Sequence, residues 1–191
     1  MNKVNITIAK TPTAGNLLLS EPFMPDDHFK RAVVMLCEHQ EEGSVGFIIN
    51  KPLGLKLNEA IDDFPDFDAE LYFGGPVQTD TLHYLHRLGD VIEGSVEIAE
   101  GLYWGGNFEI IKLLIEKGEV KPSDFRFFLG YSGWGAKQLL QELEDKSWFV
   151  AKSEAEDIWQ QEPQDLWRQV LRNLGGEFFI MSNFPENPSL N

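Results

Sequence analysis

Ser132 stands in the stretch most suggestive of chemistry, Gly130-Tyr131-Ser132-Gly133-Trp134-Gly135. A nucleophile elbow reads Gly-x-Ser-x-Gly; here the second glycine falls one place early and Trp134 fills its slot. The usual elbow order also needs a histidine after the serine, yet His28, His39, His83 and His86 all precede it. Other chain orders are physically allowed, because a triad is defined by geometry. Ser132 is therefore read first as a turn serine capping a helix, and no catalytic residue is assigned. The same residues suit a milder task. With the apolar run Phe125-Arg126-Phe127-Phe128-Leu129 before them and an amphipathic pattern after, they predict a strand, a glycine turn and a helix N-terminus. Main-chain N–H groups in such a turn can converge on a small anion or ligand. Gly130, Ser132, Gly133 and Gly135 are candidate ligand-binding residues on this ground. Gly74 and Gly75, which follow Leu71-Tyr72-Phe73, join them if the turns lie side by side, and Gly105-Gly106 marks a third such turn.

Cys37 and His39 form a second candidate, this one for redox chemistry. A nearby positive charge lowers a thiol pKa, and residues two apart in a strand share a face. That spacing would put His39 beside Cys37 and turn Glu38 away. The competing reading is a small buried hydrophobe inside Ala32-Val33-Val34-Met35-Leu36-Cys37, where burial suppresses the thiolate. His83 and His86 would meet a common metal only on a helix; in a strand they face opposite ways. Asp26, Asp27 and His28 could add ligands only by folding onto them. No metal-binding signature is present, so neither a metal nor a cofactor is expected.

These residues must be positioned by a chain of 191 residues, a size that fits one domain over 1–191, with 1–10 and 184–191 expected as loose ends. Lys and Arg number 16 against 31 Asp and Glu, a formal charge of −15. Nucleic-acid binding rests on phosphate neutralisation by cations, so direct DNA binding is disfavoured. An anionic membrane surface is disfavoured for the same reason. The single cysteine excludes an internal disulfide, no apolar stretch approaches the length of a membrane span, and no secretory leader is evident. A cytoplasmic location is expected.

Two buried strands are predicted from Ala32 to Cys37 and from Val45 to Ile49, joined by Gln40-Glu41-Glu42-Gly43. Leu82–Leu88, Ser95–Ala99 and Ser147–Ala151 read as further strands. Asn107 can cap a helix whose core face is Ile110, Ile111, Leu114 and Ile115, with Gly118 as its stop. A second helix after Gly135 aligns Ala136, Leu139, Leu140 and Leu143. A third begins near Pro163 and ends at Gly175-Gly176. Strand runs mixed with helices, without strict alternation, indicate an α+β domain.

Ordered short motifs then become specific. They are Gly15-Asn16-Leu17-Leu18-Leu19, Pro22-Phe23-Met24, Phe29 and Cys37-Glu38-His39; then Gly43-Ser44-Val45-Gly46-Phe47-Ile48-Ile49-Asn50-Lys51-Pro52; then Phe73-Gly74-Gly75-Pro76-Val77 and Gly130–Gly135. In this order and spacing the chain resembles the YqgE/AlgH family of small bacterial proteins, from about Gly15 to Ser182. The resemblance implies an α+β fold with a branched, partly barrel-like mixed β-sheet surrounded by helices. It also brings a loose label, transcriptional regulator, but no agreed active-site residues. The resulting expectation is a non-catalytic binding or regulatory protein acting through a protein or small-molecule partner. The alternatives are a hydrolase using Ser132 or a pocket histidine, and a thiol redox responder through Cys37.

Overall fold

The structure, a computed structural model, describes residues 6–154, 159 and 162–186. The first strands are β1 (Ile6–Ile8), β2 (Leu17–Ser20), β3 (Val33–Gln40) and β4 (Gly43–Ile48). After β5 (Pro52–Lys56) and the single turn α1 (Leu57–Ala60) come β6 (Glu70–Phe73), β7 (Val77–His86), β8 (Val96–Ala99) and β9 (Leu102–Trp104). Helix α2 (Phe108–Glu116) leads to β10 (Phe125–Gly135), α3 (Gln138–Glu144) and β11 (Trp148–Ser153); α4 (Leu166–Leu174) and α5 (Gly176–Met181) follow. Most elements stand where the sequence places them. Asn107 caps α2 by accepting from the Glu109 N–H at 3.0 Å, and Gly118 follows its end with φ +67°. Ile6–Ile8, expected within a loose arm, instead pairs with β11 as an edge strand.

Nine strands follow one hydrogen-bonded path, β1-β11-β2-β3-β4-β10-β7-β9-β8. Off that path, β6 pairs in parallel with β10, and β5 pairs with β6. The sheet is therefore branched, mixed and not closed, an α+β architecture. It curls nonetheless. Ile6 of β1, Ala151 of β11, and Ile98 and Leu102 at the far end all share one core cluster with Phe47 and Phe128. Helix α4 plugs this interior with Leu166, Trp167, Val170 and Leu171, and the Trp167 indole donates to Ser20 O at 3.0 Å. Two further clusters line the outside: one packs α2 over Phe125 and Phe127, the other packs α3 over Leu36, Ile48 and Trp134.

One strand serves all three clusters because its side-chain phase changes midway. β10 pairs with β6 and β7 through Phe125–Leu129, then with β4 through Ser132–Gly135. The register shifts between Leu129 and Tyr131, where Gly130 takes φ +70°. A glycine in the left-handed region is the usual seed of such a bulge. The expected glycine turn is thus corrected. The main chain stays extended through Gly135, held by the β4 ladder, and α3 starts only at Gln138. Lys137, in the left-handed region at φ +62°, makes the bend.

The bulge fits against the turn after β6. An added Cβ at Gly74 would lie 2.2 Å from Gly130 O, and one at Gly75 would lie 2.2 Å from the Tyr131 carbonyl carbon. Gly74 N donates to Leu129 O at 2.9 Å, and Gly74 O accepts from Ile48 N at 2.9 Å. Backbone packs directly on backbone here. The expected outcome for Gly74→Ala is a loss of at least about 3 kcal/mol, because rigid main chain must move. Gly101, unlike Gly74, has a left-handed φ, +71°, but an added Cβ there meets nothing within 4 Å, so Gly101→Ala should cost only about 1–2 kcal/mol of backbone strain. Urea unfolding of the two variants checks the contrast.

Candidate functional site

The six glycine-region candidates separate into two groups. Gly74, Gly75, Gly130 and Ser132 come together, but as packed core. Ser132 is fully buried, sits in mid-strand opposite Gly46, and donates from Oγ to Gly74 O at 3.0 Å. Among the described residues it caps no helix and has no histidine partner. Of the main-chain donors expected to face a ligand, Gly74 N is spent on Leu129 O and Gly135 N on the Gln138 side chain. Gly133 and Gly135 are exposed instead and line two surface depressions.

The Cys37–His39 pairing is corrected by a second bulge. Leu36 lies opposite Gly46 and Glu38 opposite Val45, so Cys37 is the extra residue in β3. Side-chain phase flips there. Cys37 joins the interior cluster with Met35 and Phe128, while His39 lies opposite Ser44 on the outer face shared by Gly46 and Ile48. The Cys37 thiol contacts Met35 O at 3.6 Å, and burial pushes its pKa well above the ordinary thiol value. Thiolate chemistry gains nothing from that position.

What His39 does meet is Ser44, a residue that motif reasoning passed over. Its Nδ1 lies 2.7 Å from Ser44 Oγ across the hairpin, and Ser44 is 4% exposed. The pair forms one wall of a cleft of about 670 Å³ at the turn end of the β3–β4 hairpin and the last residue of β10, with Gly135, Lys137, Leu139 and Leu140 opposite. Cross-strand pairing on one face produces this juxtaposition, and a signal for it existed: a four-residue hairpin between His39 and Ser44 makes them neighbours. Among the described residues nothing accepts a hydrogen bond from the other ring nitrogen of His39. The base-orienting group of a triad is therefore missing there.

The α3 wall is fixed by Glu142. Its Oε2 accepts from the indole N–H groups of Trp134 at 2.9 Å and Trp148 at 2.8 Å, and its Oε1 accepts from Gln138 Nε2 at 2.9 Å. Leu139 turns into the core at 2% exposure, whereas Leu140, expected on the core face, is 45% exposed on the cleft. Gln138 Oε1 accepts from Gly135 N at 2.9 Å and closes the bend. Lys137 is exposed and forms no ion pair among the described residues.

The remaining histidines serve the fold. His86 is fully buried in β7, with Nε2 3.0 Å from Gly105 O and 2.9 Å from Ser95 Oγ, while Nδ1 accepts from Leu88 N at 3.3 Å. That arrangement requires the neutral ring protonated on Nε2. Burial lowers its pKa, and the Gly105 carbonyl partly opposes the shift. His83, three residues earlier, faces the other side against Phe47 and Tyr131, with Nε2 buried and unpartnered among the described residues; burial lowers its pKa too. The two cannot share a metal. His28 sits apart, bonded to Asp26 at 3.0 Å on the surface. Among the described residues no helix is long and apolar enough to cross a membrane.

With the geometry in place, relatives can be compared. The model of a family described as AlgH-like matches residues 17–179. This chain belongs to the AlgH-like family. It is 48% identical over 177 residues to the UPF0301 protein CT0663 of Chlorobaculum tepidum, covering 93% of this chain and 95% of that one. A UPF0301 protein of Cytophaga hutchinsonii is 44% identical over 180 residues, covering 94% and 99%. The solution structure of AlgH from Pseudomonas aeruginosa superposes with a TM-score of 0.73 at 29% identity, over 93% of this chain and 96% of that one. The crystal structure of DIP2367 from Corynebacterium diphtheriae shares the fold, with a TM-score of 0.71 at 24% identity over 92% and 94%. These AlgH-like names carry no reaction, ligand or partner, so the cleft's chemistry must be read from its own residues.

Replacing Glu142 with Leu should cost about 2–4 kcal/mol, since two buried indole donors lose a charged acceptor; chemical denaturation measures it. For pH, the sign follows from the lowered histidine values. The unfolded chain takes up protons first, so stability is intact above about 6.5 and is lost as pH falls through the folded values of His86 and His83. In His86→Gln the dependence of stability on pH between about 7 and 5.5 should flatten.

Proposed function

We propose that this AlgH-like chain is a non-catalytic binding protein whose ligand cleft lies between the β3–β4 hairpin and α3. The observation that carries the reading is the cleft of about 670 Å³ itself, lined by Lys137, Glu41, the exposed Leu140 and the His39–Ser44 pair, with no ion pair at Lys137 among the described residues. Its volume is in the range of small-molecule sites, roughly 300–1,000 Å³. The chemistry fits an amphipathic organic anion. An apolar body would cover Leu140, while an acidic group would approach Lys137 and hydrogen-bond at the His39 end. Of the glycine-region candidates, Gly135 contributes to this cleft and Gly133 to the neighbouring depression. Gly74, Gly75, Gly130 and Ser132 support it from behind by fixing the course of β10. A regulatory role would run through occupancy of the cleft by a ligand or partner in the cytoplasm, with no direct contact to DNA.

Catalysis is the weaker reading on geometry. Ser132 has no base, and Ser44, although paired with His39, is almost wholly buried without an oriented triad. The test uses 8-anilinonaphthalene-1-sulfonate, an aromatic sulfonate, titrated into isotopically labelled protein. The expected result is shift changes at His39, Ser44 and Leu140, with affinity reduced about tenfold in Lys137→Glu, the size of a lost charge-assisted contact. Shifts elsewhere, or unchanged affinity in that variant, would remove the basis of the proposal.

A further inference from the structure

Arg31 is the most conspicuous charge that this cleft leaves unused. It sits at φ +49°, a conformation uncommon outside glycine, in the turn that leads into β3. Its side chain is only 14% exposed. The guanidinium lies 5.1 Å from the Trp167 ring, and Nη2 donates to Phe184 O at 2.7 Å. Nη1 reaches Glu186 Oε1 at 3.5 Å, a loose pair with a carboxylate that is 78% exposed. Among the described residues Nε is buried without a hydrogen-bond partner. A planar fork of five donors is thus held rigidly, with one close acceptor and one loose anion. Arg168 lies near enough to oppose its charge. The neighbouring Lys30 is engaged with Asp27.

Beside Arg31 an open groove of about 530 Å³ runs over Pro22, Phe23 and Met24, with Lys30 and Glu186 at its rim. Phe23 is 42% exposed, and its ring stacks on Phe184 at 5.5 Å. The chain's own segment Phe184-Pro185-Glu186 therefore displays what the site accepts. An aromatic ring lies on Phe23, a main-chain carbonyl on Nη2, and a carboxylate on Nη1. The two halves are 153 residues apart in sequence, so neither signals the other.

We propose that the Arg31 groove is a docking site for an acidic peptide segment of a partner protein, whose carboxylate replaces Glu186 at Arg31 and whose adjoining apolar side chain fills the groove over Phe23 and Met24. Glu186 acts as a tethered competitor. A tether holds a local concentration in the millimolar range, so a free peptide binds weakly until the tether's carboxylate is removed. This site is separate from the His39–Lys137 cleft and does not depend on the reading given for it.

The probe is acetyl-Phe-Pro-Glu-amide, titrated into labelled full-length protein and followed at the Phe23 and Arg31 amides and the Trp167 indole. In Glu186→Gln the peptide is expected to bind about tenfold more tightly than in the unaltered chain, and the Gln version of the peptide about tenfold more weakly than the Glu version. Both changes avoid Arg31, whose replacement could disturb folding. Equal affinity for the two peptides overturns the proposal. So does equal affinity of the two proteins, or a response confined to residues away from Phe23 and Arg31.

Discussion

Direct backbone-to-backbone contact between the Gly74–Gly75 turn and the Gly130 bulge is the constraint on which the fold turns. Side chains would hold these segments apart by more than an ångström, as the 2.2 Å approach of an added Cβ shows. Once they touch, β10 can hydrogen-bond β6, β7 and β4 along a single eleven-residue strand. Ser132 Oγ completes the junction by satisfying the Gly74 carbonyl. Glycine here supplies closeness and a phase change, which is a structural use of the residues that in other settings cradle anions.

From that junction the rest follows by side-chain phase. The bulge at Gly130 directs Phe128 inward but Ser132 and Trp134 outward, so one strand contributes to the plugged interior and to the helix-covered exterior. The bulge at Cys37 does the same for β3, burying the thiol and turning His39 to the outer surface. Glu142 then ties α3 to Trp134 and Trp148. The cleft beside His39 exists because α3 is pinned at its inner face and leaves Leu140 outside.

Both proposed binding places lie where the regular sheet gives out, one at the turn end of the β3–β4 hairpin and the other at a turn entering β3. Each combines a cation with exposed apolar surface in a chain whose formal charge is −15. Such a background repels polyanions at long range, while a single cation, exposed at Lys137 and largely buried at Arg31, still selects one acidic group at contact.

The amino-acid sequence by itself determined the α+β class, most strands, the Asn107-capped helix and the family. Those depend on local periodicity, caps and ordered motifs, all of which act over a few residues. It misjudged the stretch from Gly130 to Gly135, because glycines look alike in a turn and in a bulged strand until a partner strand supplies hydrogen bonds. It paired Cys37 with His39, because strict alternation holds only until one extra residue intervenes. Only the tertiary structure decided that His39 meets Ser44, that Lys137 bends the chain beside Leu140, and that Arg31 meets Phe184 and Glu186. These contacts arise from register and long-range packing, and neither leaves a mark in local composition.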